Sequence, residues 1–288
     1  MENILEETRF IMKKYGIKAN KSLGQNFLIN SEVVESIINS SEISREDMVI
    51  EIGPGLGTLT KHLLEKAGKV LCIELDTRMI EILEDRFSQY EHFEVINEDV
   101  LKVNLNEIIK QNKEDGKIKN VKVVANLPYY ITTPIIMKLL ENQLDINSIT
   151  VMIQKEVADR LIETPGGKDT GAITYSVYYY CDSEKIMEVP NSSFIPEPEV
   201  TSEVIKLTLR NEPVVKLENP KVMFMIIKSA FMQRRKTLLN ALTNTKVFIS
   251  KNEGSEILKK LNLDENVRAE NLTIEDFANI AREICVKK

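Results

Sequence analysis

The stretch Val121-Lys122-Val123-Val124-Ala125-Asn126-Leu127-Pro128-Tyr129 joins an apolar run to a polar turn. The first five residues are typical of a buried strand, so the turn lies at the carboxyl end of a predicted parallel sheet. Open α/β folds bind their ligands at that edge. Asn126 and a backbone carbonyl can accept both hydrogens of a planar amine, and the Tyr129 ring can stack on the attached base. Because Asn and Pro are also common in ordinary turns, the stretch alone leaves both interpretations open.

Short apolar runs alternate with helical periodicity from about residue 48. This order predicts an α/β fold with a parallel sheet covered by helices on both faces. The predicted strands are residues 49–52, 70–75, 93–96, 121–125 and 149–153. The predicted helices between and after them are residues 58–67, 78–88, 105–111, 134–141 and 157–162.

The sheet is predicted to end in antiparallel strands. Residues 172–180 and 185–189 are β-rich runs with no helix between them, and they predict an antiparallel pair. Residues 190–200 hold three prolines and are therefore predicted to be a loop with a fixed backbone. Residues 202–209 predict one further strand.

The pattern changes to helices alone from about residue 220. Predicted helices are residues 222–231, 236–242, 254–261 and 274–284. Residues 203–288 carry 16 Lys and Arg against 11 Asp and Glu, whereas residues 1–202 carry 22 against 33. Together the two changes predict a first domain over residues 1–212 and a smaller helical domain over residues 213–288.

Composition excludes several classes of protein. The chain is 43% hydrophobic and 28% charged, which suits globular domains with an ample core. We expect its first residues not to act as a signal peptide, and no apolar run approaches the roughly 18 residues of a membrane span. The three cysteines fit no metal motif, and the two histidines, His62 and His92, have no clustered partner. We therefore expect a cytoplasmic protein without membrane association and without a metal site.

Two basic stretches contain no acidic residue, although the net charge of the chain is −6. They are residues 8–31 and 225–252. Such patches can bind phosphates even on an acidic protein, because the field near a patch is set locally. They can equally be solvated faces, and charge alone leaves both interpretations open.

The stretch Glu51-Ile52-Gly53-Pro54-Gly55-Leu56-Gly57 follows the first predicted strand and opens a helix. Glycine lets the backbone turn sharply and approach a ligand closely. The G-x-G-x-G spacing differs from the dinucleotide fingerprint G-x-G-x-x-G and from the phosphate loop. This difference disfavours NAD and ATP and suits a cofactor made of an amino acid joined to a nucleoside.

Carboxylates follow the next two predicted strands. Glu74 ends the second strand, where an acid accepts hydrogen bonds from both ribose hydroxyls, and Asp99 follows the third, where it can accept from an adenine amino group. Each alone can be a solvated carboxylate. Because the glycine turn, both acids and Asn126 all follow strands, they converge on one edge of the sheet. The joint placement predicts S-adenosylmethionine as the cofactor.

Six motifs spread over nearly the whole chain carry a resemblance to a known family. They are Lys21-Ser22-Leu23-Gly24-Gln25-Asn26-Phe27-Leu28, EIGPGLGTLT at residues 51–60, Asn126-Leu127-Pro128-Tyr129-Tyr130, Ser193-Phe194-Ile195-Pro196-Glu197-Pro198-Glu199-Val200, Arg234-Arg235-Lys236-Thr237-Leu238 and Arg268-Ala269-Glu270-Asn271-Leu272. In these motifs the chain resembles the ribosomal RNA adenine dimethyltransferases, most closely their bacterial small-subunit type. The resemblance implies a Rossmann-like class I methyltransferase sheet and a helical C-terminal domain.

The resemblance also implies roles for individual residues. Those expected to bind S-adenosylmethionine are Asn26, Leu28, Gly53, Gly55, Glu74, Asp99 and Asn126. Those expected to hold the target adenine are Asn126, Leu127, Pro128 and Tyr129, with Phe194 stacking on its other face. Asn126 and the Pro128 carbonyl would accept both amine hydrogens and so favour a reactive, pyramidal nitrogen.

The implied substrate is small-subunit ribosomal RNA, methylated twice on each of two adjacent adenosines. The expected partner is the immature small ribosomal subunit, contacted by a monomer during ribosome biogenesis. Residues expected to bind RNA are Lys21, Arg234, Arg235 and Lys236.

Three alternatives remain at this point. One is methylation of large-subunit RNA, as in the antibiotic-resistance relatives. Another is a ribosome-assembly binding factor with a vestigial cofactor site, which the complete set of Glu74, Asp99 and Asn126 argues against. The last is an NAD-dependent oxidoreductase, which the glycine spacing disfavours.

Overall fold

The computed structural model describes residues 3–20, 23–142, 144–167, 169–248 and 250–286. The helices are α1 (Ile4–Lys14), α2 (Ser31–Ser40), α3 (Thr58–Lys66), α4 (Thr77–Phe87), α5 (Leu105–Lys113), α6 (Thr132–Glu141), α7 (Lys155–Ile162), α8 (Ala172–Tyr180), α9 (Pro220–Phe231), α10 (Leu238–Asn244), α11 (Lys251–Lys260) and α12 (Ile274–Val286). The strands are β1 (Phe27–Leu28), β2 (Asp47–Ile52), β3 (Lys69–Glu74), β4 (Phe93–Asn97), β5 (Asn120–Asn126), β6 (Ser148–Gln154), β7 (Cys181–Val189), β8 (Phe194–Ile195) and β9 (Ser202–Leu209).

The central feature is a seven-stranded sheet in the order β4-β3-β2-β5-β6-β9-β7. The first five strands in this order are mutually parallel, and β9 is antiparallel to β6. The interior strands are rich in β-branched and other apolar residues that are fully buried, as expected for a sheet covered on both faces. The predicted fold class is therefore confirmed.

Strand register brings the predicted site residues to one edge. Ile52 pairs with Ile73, Glu74 pairs with Asn97, and Asn126 pairs with Met152. The segments that follow β2, β3, β4 and β5 therefore leave the sheet at the same side, where their polar side chains can meet.

A second, two-stranded sheet joins the N-terminal segment to the proline-rich loop. In it β1 runs antiparallel to β8, with Leu28 opposite Phe194. Strands of two residues leave no periodic pattern in a sequence, and this pairing was not predicted. Helices α1 and α2 were likewise not predicted, although Asn3 and Asn30 cap them with side-chain hydrogen bonds to Glu6 and Glu32.

Residues 172–180 form helix α8, so the prediction of a strand there is wrong. The run is rich in tyrosine and β-branched residues, which favour strands in general. Tertiary packing overrides that preference. Tyr175 is fully buried, and its ring packs edge-to-face on Phe277. Its hydroxyl donates to the Leu272 carbonyl at 2.6 Å and lies 3.1 Å from the Ala269 carbonyl oxygen.

The chain divides into two compact units. The first comprises residues 1–158 and 183–209, and the second comprises residues 159–182 and 210–288. The predicted first domain, residues 1–212, included residues 159–182, which the structure assigns to the helical unit because α8 packs into its core. Within the described residues, no helix has the length and apolar content that a membrane span requires.

Candidate active site

A cavity opens at the carboxyl ends of the parallel strands in the first unit. The space it encloses, counting its open mouth, measures about 1090 Å³. It is lined by every residue predicted to bind the cofactor, namely Asn26, Leu28, Gly53, Gly55, Glu74, Asp99 and Asn126, and by Leu127, Pro128 and Tyr129. The structure therefore brings these predicted residues together around one space.

The glycine turn forms one wall of this cavity. Gly53 and Gly55 have φ values of +66° and +57°, a region that residues with a Cβ atom rarely adopt. A Cβ added at Gly53 would meet no atom of the described residues within 4 Å, apart from those of its two chain neighbours. The absence of a side chain there leaves room for a ligand to approach the backbone, which fits the predicted cofactor.

Glu74 is fixed by backbone donors. Its Oε2 accepts from the Gly55 N–H at 3.1 Å, and its Oε1 accepts from the N–H groups of Leu75 and Asp76 at 2.8 and 2.9 Å. Burial raises the pKa of this carboxyl, and the three hydrogen bonds oppose that effect. Because a carboxylate offers about four acceptor positions, one position remains, on Oε2. The arrangement leaves room for one ribose hydroxyl rather than the predicted two.

Glu51 is a buried carboxyl in the cavity wall to which the sequence assigned no role. Its Oε2 accepts from the Thr60 hydroxyl at 2.6 Å and from the Cys72 thiol at 3.5 Å. Burial raises the pKa of Glu51 to about 7. A carboxylate inside an otherwise apolar predicted strand was the signal available in the sequence.

Asp99 lies half-buried beyond β4. Its Oδ1 accepts from the Leu101 N–H at 2.9 Å, which holds the side chain in a local turn. Across the described part of the chain, Oδ2 has no hydrogen-bond partner. This oxygen is therefore able to accept from an amino group of a ligand.

Asn126 ends β5, and its amide is oriented by a distant segment. Its Nδ2 donates to the Asn26 carbonyl at 3.2 Å. A carbonyl partner identifies the amide atom facing it as nitrogen, so Oδ1 is the atom left to accept from a ligand. The N-terminal segment itself is held by Gln25, whose Nε2 donates to Asp76 Oδ2 at 2.9 Å. Gln25 is a second residue whose contribution the sequence did not reveal.

The Pro128 carbonyl is not the free acceptor that the sequence predicted. It accepts from the Ile131 N–H at 3.2 Å and from the Thr132 hydroxyl at 3.1 Å. Both lone pairs are thus occupied by the turn that starts α6. The Leu127 carbonyl has no such partner among the described residues and is the backbone acceptor left in this turn.

Only one of the two aromatic rings predicted to sandwich a base lines the cavity. Tyr129 is half-buried at its wall, and its hydroxyl lies 2.6 Å from Ser202 Oγ. Phe194 is 1% exposed and packs in the core with Leu28 and Val33. The β1–β8 pairing turns its side chain inward, so the structure does not bear out the predicted stacking by Phe194.

Three of the four predicted RNA-binding cations lie in the second unit. Arg234, Arg235 and Lys236 are exposed in the turn between α9 and α10, and Lys236 therefore precedes the helix that was predicted to begin with it. Arg234 donates to the Thr170 carbonyl at 3.3 Å, and none of the three forms an ion pair with another described residue. Lys21 lies outside the described residues. Among the residues described, no cluster of three or more His, Cys, Asp or Glu could hold a metal ion.

Comparison with known proteins identifies relatives over nearly the whole length. Residues 16–285 match the family model described as ribosomal RNA adenine dimethylase. The chain is 49% identical to the ribosomal RNA small subunit methyltransferase A of Alkaliphilus metalliredigens, over 98% of this chain and 97% of the relative. It is 46% identical to the protein of that name from Clostridioides difficile, over 97% and 96%.

Solved structures agree with this result. A dimethyladenosine transferase from Plasmodium falciparum matches with a TM-score of 0.74 and 27% identity, over 91% of this chain and 98% of that one. The 23S rRNA methyltransferase ErmE matches with a TM-score of 0.66 and 21% identity, over 90% and 100%. The second match, at its low identity, shows a shared fold.

Proposed function

The chain belongs to the ribosomal RNA adenine dimethylase family, S-adenosylmethionine-dependent methyltransferases, and from this premise we propose its substrate and the roles of its residues. We propose that it transfers methyl groups to the N6 amines of two adjacent adenosines in small-subunit ribosomal RNA, forming dimethyladenosines. The observation that carries the proposal is Asn126, which ends a strand and lines the cavity together with Tyr129, and whose amide oxygen has no hydrogen-bond partner among the described residues.

The cofactor half of the cavity is proposed to bind S-adenosylmethionine. Gly53 and Gly55 would line its methionine part, Glu74 would accept from the ribose, and Asp99 Oδ2 would accept from the adenine amino group. Asn26 and Leu28 would cover it from the N-terminal segment. When bound, the cofactor supplies an electrophilic methyl group on a good leaving group.

The base half is proposed to hold the target adenine and to activate its amine. That amine is a poor nucleophile because its lone pair is delocalised into the ring. Asn126 Oδ1 and the Leu127 carbonyl would accept its two hydrogens and localise the lone pair toward the methyl group, which is catalysis by position and preorganised dipoles. Stacking on Tyr129 would contribute about 1–3 kcal/mol. The base must leave its stack to enter the cavity.

The second methylation places a further demand on the same groups. After the first transfer, one hydrogen remains on the nitrogen, so one of the two acceptors must suffice while the other side accommodates a methyl group. The open mouth of the cavity is consistent with that requirement.

Small-subunit RNA is proposed over large-subunit RNA on the strength of the relatives. The curated relatives at 44–49% identity are all named for the small subunit. The large-subunit enzyme ErmE shares 21% identity, which supports a common fold and nothing about substrate. We further propose that the enzyme acts as a monomer in the cytoplasm on immature small subunits.

The decisive experiment is methyl transfer to purified small ribosomal subunits that lack the modification. We expect four methyl groups per subunit with small subunits and none with large subunits. Transfer to large subunits alone would favour the antibiotic-resistance type of activity. Tight binding of small subunits without cofactor binding in calorimetry would favour an assembly factor.

The exposed cations of the second unit are proposed to contact RNA phosphates. Because Arg234 also bonds to the Thr170 carbonyl, the cleaner variant is Arg235→Gln with Lys236→Gln. Each lost phosphate contact reduces the salt dependence of binding, so we expect weaker binding to small subunits and a flatter salt slope.

A matched control removes the same charge from the same unit. Lys259 and Lys260 are exposed but paired with Glu265 and Glu283, so their double replacement by Gln should leave the salt slope near that of the parent. If both double variants behave like the parent, the phosphate contact lies elsewhere.

A further inference from the structure

The Tyr129 hydroxyl contacts Ser202, which lies at the start of strand β9 in the central sheet. The Tyr129 hydroxyl and Ser202 Oγ are 2.6 Å apart, although 73 positions separate them in the sequence. Ser202 is completely buried, whereas Tyr129 lines the cavity. A buried hydroxyl needs a hydrogen-bond partner. The partner of Ser202 is the hydroxyl group of Tyr129, whose ring is expected to touch the substrate.

The segments that carry Ser202 and Tyr129 are both hydrogen-bonded to strand β6. Ser202 begins β9 opposite Gln154 of β6, and the Lys155 N–H donates to the Thr201 carbonyl at 3.0 Å. On the other side of β6, the Leu127 N–H donates to the Met152 carbonyl at 3.0 Å. The turn that carries Tyr129 and the segment that carries Ser202 are therefore both hydrogen-bonded to β6.

The proline-rich loop, residues 190–200, is held by side-chain hydrogen bonds directly before Ser202. The Asn191 amide donates to the Pro198 carbonyl at 3.0 Å, and its oxygen accepts from the Thr201 hydroxyl at 3.5 Å. The loop thus closes on itself directly before Ser202. Its shape limits the movement of the segment that presents the Ser202 hydroxyl.

We propose that Ser202 is a positioning residue, which holds the Tyr129 ring in the orientation needed to stack on the target adenine. The inference rests on the proposed function. In this arrangement the proline-rich segment serves the reaction through Ser202 rather than through the ring of Phe194. A half-buried tyrosine without this bond can rotate about its side-chain torsions, and misplacement of a bound base by even 1 Å lowers turnover steeply.

Two variants remove the same bond from opposite ends. Ser202→Ala removes it from the buried side, Tyr129→Phe removes it from the cavity side, and the double variant removes both partners. Ser41→Ala is the matched control, since Ser41 is also a buried serine with a short side-chain hydrogen bond, 2.7 Å to the Ile37 carbonyl, but does not line the cavity.

The measurements are kcat and KM with undermethylated small subunits, cofactor affinity by calorimetry, and thermal stability. We expect each single variant to lower kcat about tenfold, the factor that corresponds to one hydrogen bond, with KM and cofactor affinity within twofold of the parent. The double variant should also be about tenfold slower, because the two changes break one interaction. Ser41→Ala should lower stability without lowering kcat.

Several results would overturn the inference. One is a kcat within twofold of the parent for Tyr129→Phe, a test that remains available if Ser202→Ala does not fold. Another is a double variant about a hundredfold slower, which would make the two residues independent. A parent enzyme that transfers no methyl groups would instead overturn the proposed function, and this inference with it.

Discussion

The two halves of the cavity are held by different kinds of hydrogen bond. In the cofactor half, Glu74 is fixed by the backbone N–H groups of Gly55, Leu75 and Asp76. In the base half, side chains bond across the fold, with Asn126 on the Asn26 carbonyl and Tyr129 on Ser202. The first half depends on neighbouring turns of one βαβ unit, and the second on segments far apart in the sequence.

This difference has a functional consequence. A ribose and an amino group need fixed acceptors, which backbone-anchored carboxylates provide at little entropic cost. The proposed target base would need a surface assembled around it, to which the N-terminal segment contributes directly and Ser202 contributes by bonding to Tyr129. Damage to the cofactor half should therefore appear in cofactor affinity, and damage to the base half in turnover.

Asn126→Ala provides the largest test of this distinction. The amide oxygen should act mainly on the amine in the transition state, so we expect kcat to fall roughly 10²–10³-fold. Cofactor affinity should fall modestly, through the lost contact with Asn26. Asn120→Ala, at the opposite end of β5 where the side chain bonds to Asp47, is the control and should leave kcat unchanged. Near-normal dimethylation by Asn126→Ala would refute the amine-holding mechanism.

Glu74→Ala should produce the opposite profile. The variant loses the carboxylate proposed to accept from the ribose. A charge-assisted hydrogen bond contributes about 1.5–3 kcal/mol, so cofactor affinity should fall about ten- to a hundredfold while kcat at saturating cofactor stays close to the parent. Calorimetry measures the first quantity and single-turnover kinetics the second. Glu94→Ala removes an exposed carboxylate of β4 that is paired with Lys69 of β3, and it should change neither quantity. Unchanged cofactor affinity in Glu74→Ala would contradict the proposal that Glu74 accepts from the ribose.

Glu51→Gln tests the buried carboxyl of the cofactor half through pH. Its pKa is raised to about 7 in the fold, so the native state prefers the protonated form. The stability it contributes is present below the unfolded pKa, near 4.5, and is lost as the pH rises through 7. Glutamine stays neutral, so urea unfolding should show the variant gaining stability over the parent between pH 4.5 and 8, by at most about 3 kcal/mol. A constant difference across that range would show that Glu51 does not titrate there.

Two glycine substitutions in one turn should separate cofactor binding from stability. Gly53→Ala places a methyl group in the open cavity, so beyond a backbone strain of about 1 kcal/mol its main effect should be weaker cofactor binding. Gly57→Ala places a methyl group 2.5 Å from the Phe87 ring and should mainly lower the melting temperature. Equal effects of both substitutions on cofactor affinity would mean that the turn responds as one unit.

Sequence patterns predicted which strand-end residues line the cavity. The alternation of strands and helices, the G-x-G-x-G turn, and the acids after successive strands depend on local periodicity and on a general rule about parallel sheets. Those features indicated the fold class and the cofactor, whereas the family came from the resemblance that six sequence motifs carry. The fold and the relatives confirm these predictions. The predicted roles of Glu74, Asp99 and Asn126 stay predictions, now with defined geometry.

The amino-acid sequence by itself therefore determined the order of elements and the polar residues at the strand ends, because these follow from spacing within short segments. Tertiary structure alone decided that residues 172–180 form a helix, that Phe194 points into the core, and that Ser202 meets Tyr129. Burial and long-range hydrogen bonds decided these outcomes. The contacts of Asn126 and Tyr129 join residues 100 and 73 positions apart, and no local pattern records which distant side chain will complete a hydrogen bond.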